Sequence, residues 1–304
     1  MIGLTSDAAV APVARVGVVG GGLMGSGIAQ VASQAGFDTV VRELTEPLSS
    51  GARDAIRRSL DKAIEKGKLT ADARDAAVSR LSFTTDLADL GGCDIVIEAV
   101  VEDLDTKNTL WRALHAVCAP PTIFASNTSS LTVAAMAVAS GRPDRMVGLH
   151  FFNPVPLMRL VEVVRTITTS ADTFERTMQL VRQLGKHPIV ARDSSGFIVN
   201  RLLIPYLLDA IRALETGVGS VTDIDAGMQL GAGYPMGPFT LLDFVGLDTV
   251  ARVAEVMFDE YREQRFAPPP LLRRLVIAGH LGRKSGRGFY DHSVDPPVPS
   301  NLAL

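Results

Sequence analysis

A glycine-rich turn near the start of the chain constrains its fold more than any other feature. Gly20, Gly22 and Gly25 form the pattern G-x-G-x-x-G. A β-branched run that predicts a buried strand precedes the turn, and small and apolar residues at helical spacing follow it. In such a turn the glycines permit a tight bend, close approach of the backbone to a pyrophosphate, and close packing of the helix on the sheet. The pattern therefore predicts a βαβ unit that binds a dinucleotide at a helix N-terminus.

An acidic residue at the end of the next predicted strand supports this interpretation. Glu43 follows the third glycine of the turn by 18 residues, close to the spacing of about 20 residues at which a carboxylate accepts hydrogen bonds from the adenosine ribose. A carboxylate at this place repels a 2′-phosphate and so favours NAD over NADP, although the adjacent Arg42 weakens that preference. The alternative is a glycine-rich turn that only permits close packing.

The rest of the chain changes character about two thirds of the way along. Residues 94–101 and 122–125 predict further buried strands with a helical pattern between them, for which a parallel sheet is the economical arrangement. The segment from Phe197 to Leu214 is apolar almost all round, which is typical of a helix in a core or a subunit interface. We predict an α/β, Rossmann-type domain followed by a smaller all-helical domain. The predicted boundaries are 13–193 for the first domain, 194–291 for the second, and 292–304 for a disordered tail.

Composition excludes several other classes of protein. With 304 residues, 47% hydrophobic and 21% charged, the chain can bury two cores and is neither disordered nor a small disulfide scaffold. A net charge of −3 gives no basic field for nucleic acid or for a membrane surface. Cys93 and Cys118 lack the spacing of a metal site and indicate reduced thiols. Because neither a signal peptide nor a membrane span is evident, we expect a cytoplasmic protein. From the cysteine spacing we expect no metal.

Four motifs closely resemble those of the L-3-hydroxyacyl-CoA dehydrogenase family. They run from Glu98 to Lys107, from Ser126 to Ser130, from His150 to Pro154 and from Gly196 to Arg201. Together with later glycine-rich matches, the resemblance covers residues 14 to 291, and it is strongest to the short, single-function bacterial members. It implies reversible oxidation of an (S)-3-hydroxyacyl-CoA, with a short chain such as 3-hydroxybutyryl-CoA, to the 3-ketoacyl-CoA, with NAD as the cofactor. The expected metabolic setting is that of fatty acids or butanoate.

The resemblance also implies a catalytic pair. Oxidation of the alcohol requires a base with a pKa near neutrality, and His150 matches the family's base. Glu162 matches the residue that orients the imidazole and stabilises its protonated form. Taken alone, a histidine at a strand end is more often structural. Similarly, Glu162 could be a solvated glutamate on an edge strand.

Two further polar residues match the family's groups beside the reacting oxygen, where donors would stabilise developing charge. These are Ser129 and Asn200. In isolation, Ser129 predicts a helix N-cap and Asn200 a polar residue in an apolar helix. A buried amide needs partners, which an active site that spans two domains would provide.

Cofactor and substrate contacts follow from the same resemblance. The residues expected to bind NAD are Gly20, Gly22, Leu23, Met24, Gly25, Glu43, Glu102, Lys107 and Lys284. Those expected to contact CoA are Ser59 and Lys66. The alternative for Glu102, Lys107, Lys284 and Lys66 is an ordinary charge on a solvated helix surface.

The resemblance further implies that acyl-CoA is the partner molecule and that the chain forms a homodimer through its helical domain. Two other functions stay open from the sequence. One is a dehydrogenase of a free hydroxy acid, of the gulonate type, and the other is a catalytically silent cofactor-binding or structural relative.

Overall fold

The computed structural model describes residues 13–302 of the chain. The chain divides into two compact units, and the division falls between Asp193 and Ser194. Within the described range no helix combines the length and apolar character that crossing a membrane requires. The same range contains no group of three or more His, Cys, Asp and Glu side chains that could hold a metal ion.

The first unit alternates strands and helices, as the glycine turn predicts. Its strands are β1 Arg15–Val19, β2 Asp38–Arg42, β3 Leu81–Thr84, β4 Ile95–Glu98, β5 Ile123–Ser126, β6 Met146–Phe151, β7 Leu160–Arg165 and β8 His187–Arg192. Its α-helices are α1 Leu23–Gln34, α2 Glu46–Glu65, α3 Ala71–Ser79, α4 Leu104–Val117, α5 Val133–Ala139 and α6 Ala171–Gln183.

These strands form one sheet with the order β3-β2-β1-β4-β5-β6-β7-β8. Every neighbouring pair is parallel except β6 with β7, which is antiparallel. Strands β4 and β5 are buried along their whole length, which fits their apolar sequences because a parallel sheet is covered on both faces. The chain reverses its direction across the sheet between β1 and β4, and dinucleotides bind outside the strand ends at such a point. The Rossmann-type fold class is thus confirmed.

The segment between β2 and β4 is more elaborate than the sequence indicates. A helical segment with a narrow apolar stripe, turned back at Gly67, was expected over residues 46–80, and two helices are present with Gly67 at φ = +65° between them. Strand β3 was not predicted. It has only four residues, and none of them is fully buried. A clear alternation of apolar and polar residues is therefore missing, and the strand is defined by its pairing with β2 at the sheet edge.

The second unit is mainly helical. Its α-helices are α7 Val199–Glu215, α8 Val221–Ala226, α9 Pro238–Val245, α10 Leu247–Tyr261 and α11 Pro270–Ile277. They pack around one apolar core that includes Leu207, Phe239 and Met257. Helix α7 contributes buried residues to this core, whereas its Leu202 is 72% exposed.

Two buried carboxylates hold the connections of this unit. Asp225 accepts hydrogen bonds from the backbone N–H of Phe239 at 2.7 Å and from the Tyr290 hydroxyl at 2.9 Å. Burial and the charge of Asp225 raise the pKa of Tyr290 above its ordinary value, so the phenol keeps the proton that it donates. Asp243 accepts from the N–H groups of Phe289 and Tyr290.

The tail differs from the disordered segment predicted at 292–304. Over residues 292–302 it is ordered: β10 (Val298–Pro299) pairs antiparallel with β9 (Tyr290–Asp291). The N–H of Ser300 donates to the Phe289 carbonyl at 2.9 Å, and Leu302 packs against the apolar core. The proline-rich composition hides these contacts because they depend on residues elsewhere in the unit. Residues 303–304 lie outside the described range.

Candidate active site

The glycine turn joins β1 to α1, and it leaves no room for side chains at positions that include Gly20 and Gly25. Gly20 has φ = +91°, and a Cβ there would lie 2.7 Å from the Ala99 carbonyl oxygen. A Cβ on Gly25 would lie 1.7 Å from the carbonyl oxygen of Gly20. At Gly22, by contrast, no described atom beyond the adjoining backbone and chain neighbours lies within 4 Å of the Cβ position. A ligand can therefore approach the backbone from the side of Gly22, just before helix α1 begins.

A cavity of about 500 Å³ lies beside this turn, at the carboxyl ends of β1, β2 and β4. Its walls are mainly apolar, and they include Leu48, Leu87 and Leu110. Gly22 and Glu43 belong to its lining as well. An apolar cleft with a carboxylate at its wall and open backbone N–H groups at its end suits an adenosine joined to a pyrophosphate.

Glu43 is held by backbone groups on both of its oxygens. Oε1 accepts from the N–H of Gly21 at 2.5 Å, and Oε2 accepts from the N–H of Leu44 at 3.1 Å. The neighbouring Arg42 directs its Nε to the carbonyl oxygen of Thr85, at 3.3 Å. These bonds keep the carboxylate charge at the cavity wall.

The structure brings His150 and Glu162 together as a cross-strand pair. They are directly opposite in the antiparallel register of β6 and β7, and His150 Nδ1 lies 2.6 Å from Glu162 Oε2. Both side chains are buried, the glutamate completely. A solvated edge-strand glutamate is therefore the wrong alternative. With Nδ1 turned to the carboxylate, Nε2 is the ring nitrogen that could exchange a proton with a ligand.

The loop that carries Ser129 connects β5 to α5 and is bound by Glu102. Glu102 Oε1 accepts from the Thr128 hydroxyl at 2.6 Å and from the N–H of Ser129 at 2.9 Å. Its Oε2 lies 3.1 Å from Lys107 Nζ. Burial raises the pKa of Glu102, but the Lys107 charge and the bonds from Thr128 and Ser129 outweigh it, so the pKa lies below its ordinary value.

Lys107 is not the surface charge that the sequence left as an alternative. Its side chain is 1% exposed, and its Nζ also contacts Glu98, at 2.5 Å. Glu98 is the last residue of β4 and is completely buried.

Two residues at this edge of the sheet, which the sequence did not predict to be important, hold its loops in place. Asn127 Oδ1 accepts from the N–H of Phe151 at 3.0 Å, next to His150. Lys186 Nζ donates to the carbonyl oxygens of Val155 and Met158 at 2.6 and 2.9 Å, and so ties down the loop that follows β6. An asparagine directly after a buried strand was the available signal for the first. Lys186 offered none, because its partners are backbone atoms about 30 residues away.

The remaining predicted residues lie outside this cluster or in the other unit. Leu23 and Met24 form the first turn of α1, and Leu23 is exposed. Ser59 and Lys66 lie seven positions apart at α2, so they share one side of the helix. In the second unit, Asn200 is a half-buried residue near the start of α7, and Lys284 Nζ pairs with Asp248.

The spacing of the strands relates the cavity to the histidine. In the sheet order, β6 lies three strands from β1, which corresponds to about 14 Å at roughly 4.8 Å per strand. The glycine turn, Glu102, the Ser129 loop and His150 all lie at the carboxyl ends of parallel strands. A dinucleotide that enters at β1 and β2 and extends along this edge would bring its far end towards β5 and β6.

The fold and this edge of the sheet are those of a dinucleotide-binding protein. Residues 15–194 match the NAD binding domain of 3-hydroxyacyl-CoA dehydrogenase, and residues 196–292 match the C-terminal domain of the same family. The chain belongs to the 3-hydroxyacyl-CoA dehydrogenase family, which confirms the resemblance inferred from its motifs.

Individual relatives agree along most of their lengths. A 3-hydroxybutyryl-CoA dehydrogenase of Mycobacterium tuberculosis is 49% identical over 280 residues, which are 91% of this chain and 98% of the relative. The crystal structure of M. tuberculosis FadB2 has a TM-score of 0.91 at 48% identity, with 92% of this chain and 99% of that chain covered. The (S)-3-hydroxybutyryl-CoA dehydrogenase PaaH1 of Ralstonia eutropha has a TM-score of 0.89 at 41% identity, with 93% and 100% covered.

Proposed function

We propose that the protein catalyses the reversible NAD-dependent oxidation of a short-chain (S)-3-hydroxyacyl-CoA, with 3-hydroxybutyryl-CoA as its substrate, to the 3-ketoacyl-CoA. The observation that carries the proposal is the buried His150–Glu162 pair at the same sheet edge as the glycine turn. The family and the names of the relatives given above support it. The reaction belongs to fatty-acid or butanoate metabolism.

In this mechanism His150 handles the proton. Its Nε2 takes the proton of the substrate hydroxyl while a hydride leaves C3, so that the C–O single bond becomes the carbonyl double bond. Glu162 holds the ring through Nδ1 and stabilises the imidazolium that forms. In the reductive direction the same imidazolium returns the proton to the oxygen. Bound NAD supplies the acceptor for the hydride.

Ser129 and Asn200 serve as the groups that stabilise charge on the reacting oxygen. For Ser129 the support is its place in a loop beside the carboxyl end of β6, since β5 and β6 are parallel neighbours. For Asn200 the support is the family motif from Gly196 to Arg201.

NAD is held by the glycine turn and the residues around it. Gly20, Gly22 and Gly25 admit the pyrophosphate, Leu23 and Met24 form the helix start beside it, and Glu43 takes the ribose. Glu102 borders the nicotinamide end, together with Lys107, which pairs with its carboxylate, and Lys284 is the cofactor residue that the family motifs assign in the second unit. Because Glu43 is anchored by the N–H groups of Gly21 and Leu44, its charge stays at a place where it would repel a 2′-phosphate.

Ser59 and Lys66 contact the CoA moiety, which the lysine recognises through phosphate charge. The protein acts in the cytoplasm, without nucleic acid or membrane partners, as a homodimer joined by its helical unit. Apolar side chains exposed on that unit support the dimer, since Leu202, Leu230 and Ile277 are 72%, 88% and 86% exposed. Sedimentation velocity at micromolar concentration should give the mass of a dimer, and a monomer would refute this part of the proposal.

The activity is tested by the loss of NADH absorbance with acetoacetyl-CoA as the substrate. Free acetoacetate and other free keto acids serve as the matched controls, because they lack the CoA moiety. We expect rapid turnover of acetoacetyl-CoA and little of the free acids. Preference for a free keto acid would instead support the gulonate type of dehydrogenase, and absence of turnover with NADH bound would support a silent relative.

A further inference from the structure

Glu98 and Lys107 form an ion pair inside the first unit, separate from the His150–Glu162 pair. Their side chains are 0% and 1% exposed. Glu98 ends β4, and Lys107 lies in the first turn of α4. A buried charge is strongly destabilising unless other groups compensate it. The partners of these two side chains therefore indicate the role of the ion pair.

The hydrogen bonds of Glu98 fasten it to the sheet. Oε1 accepts from Lys107 Nζ at 2.5 Å and from the N–H of Val100 at 2.9 Å. Oε2 accepts from the Ser126 hydroxyl at 2.7 Å, on the neighbouring strand β5. Glu98 is thus a rigid anion at the end of two strands.

Lys107 connects this anion to a second carboxylate. Its Nζ lies 2.5 Å from Glu98 and 3.1 Å from Glu102. Glu102 in turn accepts from the backbone N–H groups of Ser129 and Ser130 at 2.9 and 3.3 Å. An unbroken series of bonds therefore runs from the sheet to the loop that carries Ser129.

The charges in this series do not balance. Two carboxylates share the ammonium group of Lys107, so its removal would leave two anions side by side in a mostly buried place. An anion in such a place either repels its neighbour or takes up a proton, and each outcome weakens its hold on the N–H donors of the loop.

We propose that Lys107 is a positioning residue, which acts through Glu102 to hold the Ser129 loop in place, and that Glu98 is its buried counter-ion. In this role Lys107 supports the proposed cofactor site indirectly, because its ammonium group pairs with the two carboxylates. The inference rests on the proposed function of Ser129.

The experiment compares Lys107→Met, Glu98→Gln and the double variant by steady-state kinetics with acetoacetyl-CoA and by NADH binding. Lys107→Met should lower kcat about a hundredfold, because two uncompensated carboxylates remain. Glu98→Gln should cost about fivefold or less, because Lys107 keeps Glu102 as its partner. In the double variant one anion is gone as well, so kcat should recover about tenfold relative to Lys107→Met.

A direct contact between Lys107 and the cofactor predicts the opposite pattern. The two changes would then add, NADH binding would weaken in step with kcat, and no recovery would occur, which overturns the proposal. Lys68→Met, which removes an exposed lysine, is the matched control and should keep normal kinetics. Wild-type turnover of acetoacetyl-CoA, measured in the same series, separates a failure of this inference from a failure of the proposed function.

Lys107→Met could fail to fold, and in that case the comparison is made between Glu98→Gln and the double variant. The proposal expects the double variant to fold and to lie within about tenfold of Glu98→Gln in kcat. A further hundredfold loss between these two variants would assign Lys107 a direct role and overturn the proposal.

Discussion

Each unit of the protein pairs a histidine with a buried carboxylate, and the two pairs differ in what surrounds them. His150 meets Glu162 through Nδ1 at 2.6 Å, and the two lie opposite each other on adjacent strands. His292 meets Asp243 through Nε2 at 2.9 Å, and the same carboxylate also accepts two backbone N–H groups. The first pair presents Nε2 at the carboxyl edge of a dinucleotide-binding sheet, whereas the second fastens the C-terminal ribbon.

This difference shows that a histidine paired with a buried carboxylate does not by itself define a catalytic site. The bond at one ring nitrogen fixes the orientation of the imidazole in both cases. What separates them is the position of the ring relative to a ligand-binding edge. The Asp243 carboxylate also holds a chain segment, because it accepts from the backbone N–H groups of Phe289 and Tyr290.

The largest effect is expected from matched substitutions of the two histidines. His150→Gln should lower kcat by about a thousandfold, because it removes the general base, while NADH binding stays close to wild type. His292→Gln should lower the melting temperature and leave kcat within about threefold of wild type. Kinetics and thermal melting of both variants check this prediction. Near-normal turnover of His150→Gln would contradict the assignment of His150 as the general base.

The second pair is tested by Asp243→Asn. The amide places an N–H₂ group among N–H donors, so the free energy of unfolding should fall by about 2 kcal/mol. Denaturant unfolding measures this loss, and turnover at low temperature should be preserved. If turnover were abolished in a variant that is folded, Asp243 would belong to the active site and the contrast between the two pairs would disappear.

A smaller effect is expected at the wall of the cavity in the first unit. Glu43→Ala should raise the KM for NADH and reduce the preference for NADH over NADPH by about tenfold, because the repulsion of a 2′-phosphate is lost. Competitive assays with the two cofactors measure the ratio. The melting temperature of the second unit should not change. An unaltered cofactor ratio would contradict the proposed role of Glu43.

The smallest effect is expected at the proposed CoA contact. Lys66→Glu should raise the KM for acetoacetyl-CoA about fivefold, since a phosphate then meets an anion, with the KM for NADH unchanged. Lys62→Glu, also on α2, exposed and not assigned to the site, provides the control for charge alone. An equal rise in both KM values would argue against contact with CoA.

The sequence predicted well those elements that depend on one short segment, and poorly those that depend on pairing with a distant segment. The strand, glycine turn and helix around Gly20 follow from residues within one short segment. The short edge strand β3 and the ordered ribbon of the tail were missed or predicted wrongly, because each is stabilised by a partner segment. For β3 the partner is β2, and for the ribbon it is the Asp243 carboxylate together with the apolar core.

The sequence by itself determined the dinucleotide-binding turn and the acid that follows it, because these depend on the spacing of residues along one strand, turn and helix. It also determined the family, through motifs spread along the chain. Only the tertiary structure decided which charges meet. The register of β6 and β7 places Glu162 against His150, and two ion pairs place Lys107, near the start of α4, between Glu98 and Glu102. Such contacts join residues whose separation along the chain carries no periodic signal, and the energy of a buried charge depends on the partners that the fold provides.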